Sequence, residues 1–155
     1  ARYQWTTDAG DFGVSFSGVH TLSYELSPVP GAARQDLLEN DFGEVPWRAR
    51  LAFDWQGETL SFSTALNFTD EYRFSYAATG GGNAMQTVDN YTTIDMQARY
   101  DLPWSVGDSR TNVFINVDNV FDEDPPLVLG RPEGFDQTRT NPIGRMIWVG
   151  VRQEF

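Results

Sequence analysis

Apolar and polar residues alternate one by one through most of this chain, and this alternation limits its possible folds more than any other feature. In segment 47–55, the apolar positions are Trp47, Ala49, Leu51, Phe53 and Trp55, and the positions between them are Arg48, Arg50, Ala52 and Asp54. Segments 58–68 and 92–102 repeat the pattern. Because successive side chains of a β-strand point to opposite faces, a period of two predicts strands with one apolar and one polar face.

The alternation predicts seven strands, joined by connections that are short and long in turn. The predicted strands are 2–7, 12–27, 47–55, 58–75, 92–102, 111–119 and 145–155. The short connections are 8–11, 56–57 and 103–110, and the long ones, rich in Gly, Pro and Asp, are 28–46, 76–91 and 120–144. In an antiparallel sheet every long connection then lies at one end. This asymmetry is typical of outer-membrane β-barrels and is not expected of a soluble sandwich.

The charged residues of the predicted strands lie almost entirely on the polar face. In a soluble protein the apolar face would be the core, whereas in a large barrel it meets lipid and the charges line the lumen. Trp47 and Trp55 stand at opposite ends of one strand, ~26 Å apart at ~3.3 Å per residue. With the strand tilted by ~40°, that spacing covers ~20 Å of membrane depth, close to the ~25 Å apolar band that aromatic girdles flank in a barrel. A soluble sandwich strand with a Trp at each end is the alternative.

Composition excludes several other classes of protein. The chain has eleven basic residues, all of them Arg, against twenty-two acidic ones, and its net charge of −11 argues against nucleic acid as a partner. No run approaches the ~20 apolar residues of a membrane-spanning helix. There is no Cys, which excludes disulfides, thiolate metal sites and cysteine nucleophiles.

The C-terminal third carries two motifs that resemble a known family. The run Asn116-Val117-Asp118-Asn119-Val120-Phe121-Asp122-Glu123-Asp124-Pro125-Pro126 is similar to the penultimate strand of TonB-dependent outer-membrane receptors, which ends in Asn-apolar-Phe-Asp. The ending 144–155 is similar to their last strand, because Ile147, Val149, Val151 and the terminal Phe155 alternate in the same way. The resemblance covers the whole chain in pattern and about residues 90–155 in motif.

This resemblance implies an all-β fold, an antiparallel transmembrane β-barrel of about 22 strands with an N-terminal plug inside it. Residues 1–155 would be its C-terminal segment of seven strands. Counting back from a last strand that ends on the short-turn side places Ala1 on the long-loop side. We therefore expect the N-terminal strands, the plug and the TonB box to be absent from this sequence.

The function implied is active transport across the outer membrane of a Gram-negative bacterium. Such a receptor takes up a scarce ligand, such as a ferric siderophore, cobalamin or an oligosaccharide, without changing it, so no enzymatic activity is expected. Its partners would be outer-membrane lipid, the TonB complex through the plug, and small-molecule cargo at the extracellular loops. Two alternatives stay open: a passive porin and a soluble β-sandwich binding module.

Few residues suggest chemistry, and each is explained more simply by structure. His20 is the only histidine, and it alternates with Phe16 and Leu22 on the apolar side, where packing or a membrane interface accounts for it. No Gly-x-Ser-x-Gly sequence is present to supply a nucleophile elbow. Gly80-Gly81-Gly82 follows a strand and precedes no helix, so it predicts a loop and not a phosphate cradle.

Charged residues suggest a cation site and an anion site, again with structural alternatives. Asp118, Asp122, Glu123 and Asp124 could offer oxygen ligands to Ca²⁺, but they lack EF-hand spacing and suit a solvated acidic loop. Three arginines of the polar face could attract anionic cargo or pair across strands with nearby carboxylates, and we favour the pairing. These arginines are Arg48, Arg50 and Arg99, and the carboxylates are Asp54, Asp95 and Asp101. The sequence assigns no catalytic, cofactor-binding, metal-binding or cargo-binding residue.

Overall fold

Antiparallel β-strands account for the regular structure of the chain. A computed structural model describes residues 1–27, 29–36, 38, 45–103 and 110–154. Its strands are β1 (Arg2–Thr7), β2 (Gly10–His20), β3 (Glu25–Leu26), β4 (Gln35–Asp36), β5 (Trp47–Gln56), β6 (Leu60–Thr69), β7 (Tyr72–Ala77), β8 (Asn83–Val88), β9 (Tyr91–Asp101), β10 (Arg110–Asp118) and β11 (Met146–Glu154). Among these residues, no helix is long and apolar enough to cross a membrane. The predicted all-β, antiparallel fold is confirmed.

Seven strands form one sheet in the order β1-β2-β5-β6-β9-β10-β11. The other four form two hairpins, β3–β4 and β7–β8, within the long connections. The described sheet is open, with β1 and β11 as its edges. The strands run alternately up and down. The short connections 8–9 and 57–59 therefore lie at one end of the sheet, where β9 ends and β10 begins, and the long connections start and finish at the other end.

All seven predicted strands are present, but two of them were predicted to extend further than they do. Predicted strand 12–27 leaves the sheet after His20, because its partner β5 begins at Trp47, opposite His20. Predicted strand 58–75 ends at Thr69, which pairs with Tyr91 at the start of β9. Just beyond these points single backbone hydrogen bonds follow, from Thr21 N–H to the carbonyl of Pro46 and from Asp70 N–H to that of Trp47, but the ladder of the large sheet does not continue. The predicted connection 76–91 does join two strands of the large sheet, but it contains a strand that the alternation did not predict, since β8 lies inside it and pairs with β7.

Some predictions fall on residues outside the described ranges. They include Phe155, predicted to end the last strand, most of the short connection 103–110, and part of the long connection 28–46.

The register brings apolar side chains into rows across the sheet. Phe16 pairs with Leu51, Leu51 with Leu66, and Leu66 with Ile94, so one row crosses four strands. A parallel row contains Phe62, Ala98, Ile115 and Val149. These rows lie open to solvent: Leu51 is 46% exposed and Val149 76% exposed. The apolar face of the sheet is therefore uncovered by the described residues.

The buried apolar cluster lies away from the large sheet. It consists of Val45, Tyr72, Phe74, Val88 and Val128, with Tyr76 packed against it. All of these residues belong to the long connections and the β7–β8 hairpin. This buried cluster is thus formed by the long connections and their hairpin, and not by side chains of the large sheet.

Trp55 joins two neighbouring turns at the short-connection end. Its indole N–H donates to the carbonyl of Ala9 at 3.0 Å, and its ring lies so close to Gly57 that a Cβ added there would be 2.9 Å from it. Position 57 therefore has no room for a side chain beside the Trp55 ring, which explains the glycine. The aromatic side chain fixes both turns at the rim of the apolar face.

Candidate functional site

The polar face carries a hydrogen-bonded network that spans three strands. The Arg50 guanidinium of β5 donates to the side-chain oxygen of Asn67 on β6 and lies 3.7 Å from the Asp95 carboxylate of β9. Asn67 in turn donates to Asp95 at 2.8 Å and to the Thr93 hydroxyl at 3.2 Å. The Asp95 carboxylate also accepts the backbone N–H of Asn119 at 3.1 Å. The network ties three strands to the start of a long connection.

The predicted pairing of arginines with carboxylates is confirmed in part. Arg50 does pair with Asp95, but two strands away, with Asn67 between them. Arg99 lies 3.5 Å from Asp101 along the same strand, and not across strands as predicted. The sequence pattern placed these residues on one face but could not give the neighbour to which each side chain turns.

One row of the polar face contains only hydrogen-bonding groups and an indole. Asp54 pairs with Ser63, Ser63 with Gln97, Gln97 with Asn116, and Asn116 with Trp148, so the row crosses five strands. Together with Arg50, Asp95, Asp118 and their neighbours it lines a groove of about 270 Å³. Trp148 is 43% exposed there. The row therefore presents an accessible aromatic ring beside amide, hydroxyl and carboxylate groups.

A second candidate is the loop module, which we define as the β7–β8 hairpin together with residues 127–140. Gln86 fastens its two parts, because its side-chain amide donates to the carbonyl of Leu127 at 2.7 Å and its oxygen accepts the N–H of Leu129 at 2.8 Å. Gly130, at φ +84°, lies against Tyr76, and a Cβ there would clash with that side chain. The long connection is consequently a folded unit at this end of the sheet.

Asp136 is the buried polar centre of the loop module, with only 1% of its surface exposed. It accepts hydrogen bonds from the Thr138 N–H at 2.9 Å, from the Thr138 hydroxyl at 2.6 Å and from the Arg139 guanidinium. The Tyr72 hydroxyl lies 3.4 Å from Oδ2, the carboxylate oxygen that also accepts from Arg139. Arg139 also stacks over the Tyr72 ring at 4.7 Å. One carboxylate thus holds together segments that are 64 residues apart in the chain.

This environment shifts two pKa values in opposite directions. Burial, followed by the charge of Asp136, raises the pKa of Tyr72 from 10.0 to about 12. Burial alone would also raise the pKa of Asp136, but the hydrogen bonds from Thr138 and the Arg139 guanidinium outweigh it and lower the pKa. At neutral pH the site therefore contains an ionised carboxylate and a protonated phenol.

The Asn-apolar-Phe-Asp motif forms the root of the longest connection. Asn119 and Asp122 have φ of 50° and 59°, a left-handed conformation that Asn and Asp tolerate better than most residues. The Asn119 side chain donates to the carbonyl of Glu123 and accepts its N–H, both at 2.9 Å. The Asp122 carboxylate accepts the N–H of Arg145 at 2.7 Å. These contacts close the connection where β10 ends and β11 begins.

The residues that sequence analysis weighed for chemistry do not converge. His20 stacks on Trp47 with ring centres 4.2 Å apart, on the apolar face. The acidic group separates, because Asp122 turns to Arg145 whereas Asp118 lines the polar groove. In the described ranges, no three His, Asp or Glu side chains are arranged to hold a metal ion. Gly80, Gly81 and Gly82 form the turn of the β7–β8 hairpin, all with positive φ.

Comparison with known proteins gives no relative: no family model, no curated protein and no solved structure matches this chain.

Proposed function

We propose that the chain is part of the wall of an outer-membrane active-transport receptor of the TonB-dependent kind. The seven-stranded sheet would belong to a closed barrel of about 22 strands, with its apolar face toward lipid. The observation that carries this proposal is the uncovered apolar face. Its rows run from β2 to β11, whereas the described apolar core lies in the long connections.

A bilayer accounts for this face better than a second protein layer does. In a soluble sandwich the apolar face of one sheet packs against another at ~10 Å. Among the described residues no second sheet lies over it, because the two additional hairpins belong to the long connections at one end. Exposed apolar area of this extent is a liability in water, yet it is what a transmembrane wall presents to lipid.

Aromatic residues at both ends of the apolar rows support the same proposal. At the long-connection end, Trp47 stacks with His20. At the short-connection end, Trp5 stacks on Phe12 at 5.3 Å, and Trp55 bridges two turns. Indole rings that are apolar in the body and polar at one edge favour the boundary between hydrocarbon and water. The two aromatic clusters would mark the two membrane interfaces.

A receptor accounts for the long connections better than a passive pore does. The Asn119-to-Asp122 motif, which resembles that of the family, roots a connection that folds into the buried loop module. A rigid, folded surface above a barrel suits capture of a specific ligand, since binding residues are commonly carried on loops held by a scaffold. Energy for uptake would come through TonB and a plug.

Topology in intact cells tests the proposal directly. Single cysteines are clean probes in this chain, which has none, once any Cys elsewhere in the full-length polypeptide is replaced by Ser. In the full-length polypeptide, Ala33→Cys and Thr79→Cys should react with a membrane-impermeant maleimide on intact cells, and Asp8→Cys should react only after the outer membrane is opened. All three positions are exposed. Gly57 and Gly81 are unsuitable, the first because of Trp55 and the second because of its φ of +91°.

Fractionation provides the control for this experiment, since each variant must be recovered with the outer membrane. Labelling of Asp8→Cys on intact cells together with protection of the other two would reverse the orientation. Recovery of the polypeptide in the soluble fraction would refute the receptor and favour the sandwich.

A further inference from the structure

The polar groove around Trp148 has the chemistry of a ligand subsite. Its row of Asp54, Ser63, Gln97 and Asn116 offers donors and acceptors on one side of an exposed indole. Exposing a Trp side chain on a hydrated face costs free energy, because most of the surface of its indole ring is apolar. Its exposure within an otherwise polar groove is explained if the ring is covered in the barrel, by the plug or by a ligand.

Asn116 provides a second observation at this place, an unsatisfied hydrogen-bond acceptor. Its side-chain oxygen is buried and accepts no hydrogen bond from the described residues. Buried polar atoms almost always have a partner, so an unused acceptor calls for a specific explanation. Asn116 is the direct neighbour of Trp148 across β10 and β11. The unused acceptor and the uncovered ring therefore occur at one place.

The charges around this groove exclude anionic ligands. Three carboxylates, Asp54, Asp95 and Asp118, line it against a single guanidinium, Arg50, which already pairs with Asp95. The three long connections, 21–46, 70–90 and 119–144, contain thirteen acidic residues and four arginines. An anionic ligand would be repelled both on approach and in the groove.

A neutral polyhydroxylated ring satisfies these conditions. The apolar C–H face of a pyranose stacks on the negative face of an indole, and its hydroxyls both donate and accept hydrogen bonds. Planar amides and carboxylates such as Gln97, Asn116 and Asp54 match adjacent hydroxyl pairs. A groove of about 270 Å³ has room for one such ring.

We propose that this groove is a subsite for a neutral pyranose unit, stacked on Trp148 and hydrogen-bonded by the row from Asp54 to Asn116. The inference rests on the proposed transport function and narrows its cargo to oligosaccharides. The polar face would then bind sugar units as they move along the wall.

The test uses the full-length polypeptide in detergent and a panel of neutral oligosaccharides of glucose, galactose, mannose, xylose and N-acetylglucosamine, with spermidine and citrate for comparison. Calorimetric titration should give saturable binding of at least one oligosaccharide and none of citrate. Trp148→Ala should weaken that binding at least tenfold and Gln97→Leu severalfold, whereas Trp148→Phe should retain most of it. Trp47→Ala, on the opposite face, is the matched control and should leave binding unchanged.

Three results would overturn the subsite: no oligosaccharide binds, binding is the same in Trp148→Ala, or spermidine binds in preference to every sugar. Gel mobility with and without boiling confirms that each variant is assembled. Surface labelling of Ala33→Cys and Thr79→Cys is independent of sugar, so a failed titration with correct labelling refutes the subsite alone. Incorrect labelling refutes the transport proposal itself.

Discussion

At the scale of single residues, Asp136 has the clearest energetic role. It is almost fully buried, and its carboxylate accepts hydrogen bonds from Thr138 and Arg139. Removing one partner of a buried hydrogen-bonded group leaves the others unsatisfied, at a cost of about 1–3 kcal/mol. Because folding lowers the pKa of Asp136, its contribution is fully present above the ordinary carboxyl pKa and is lost as the pH falls through the lowered value.

Asp136→Ala is therefore expected to destabilise the loop module by about 1–3 kcal/mol and to leave the large sheet unchanged. Amide hydrogen exchange should accelerate in residues 72–88 and 127–140 and stay constant in β5 and β6. Glu133→Ala is the matched control, since Glu133 is an exposed acidic residue of the same connection. The unsubstituted protein should lose the same protection at strongly acidic pH. Equal exchange in both variants would mean that Asp136 does not hold the module together.

Asp136 also illustrates why sequence reasoning missed the loop module. In the sequence it is one of several acidic residues in a Gly- and Pro-rich connection. Its partners Thr138 and Arg139 are close in the chain, but its contact with Tyr72, 64 residues away, joins the connection to the β7–β8 hairpin and has no signal in the local sequence. The Arg50–Asn67–Asp95 network was missed for the same reason, because a strand pattern assigns a face but not the direction in which a long side chain turns.

At the scale of elements, alternation located the strands well and gave the wrong C-terminal end for two of them. The period of two is a property of each strand, so all seven members of the sheet could be predicted from it. A strand ends where its neighbour ends, however, and this depends on pairing: β2 stops at His20 because β5 begins opposite it. The β8 strand was missed because its sequence, Asn83–Val88, alternates only weakly and pairs locally with β7.

The face assignment of β5 yields a matched pair of substitutions. Leu51 belongs to the apolar row with Phe16 and Leu66, whereas its neighbour Ala52 faces the polar groove. In the full-length polypeptide of the proposed receptor, Leu51→Arg should cost roughly 2–4 kcal/mol, since it would place a charge near the bilayer midplane. Ala52→Arg should cost much less, because its side chain enters a hydrated space. Denaturant unfolding from lipid vesicles measures both. An equal or larger penalty at Ala52 would contradict the assignment of the lipid-facing side.

At the scale of the whole molecule, the open edges of the sheet determine what the proposed barrel wall requires. The described β1 and β11 each pair on one side only. In hydrocarbon an unpaired strand edge leaves backbone groups without hydrogen bonds, at several kcal/mol for each group. A transmembrane sheet therefore needs a further strand beside each edge. The apolar side chains of β11, Ile147, Val149 and Val151, are also among the most exposed in the sheet.

Deletion of residues 145–155 from the full-length polypeptide is accordingly expected to abolish barrel assembly. The deletion would remove β11 and leave β10 as an edge with nine residues that have lost their partners. The assay is gel mobility with and without boiling, on membranes from cells that make each variant. The control variant keeps the length and composition of 145–155 but scrambles its order, so that the alternation is lost. It should fail to assemble, as the deletion does, if strand pairing and not chain length is what matters. A boiling-sensitive band from either variant would mean that β11 does not close the wall, because a closed barrel cannot keep its heat-modifiable form with one strand missing.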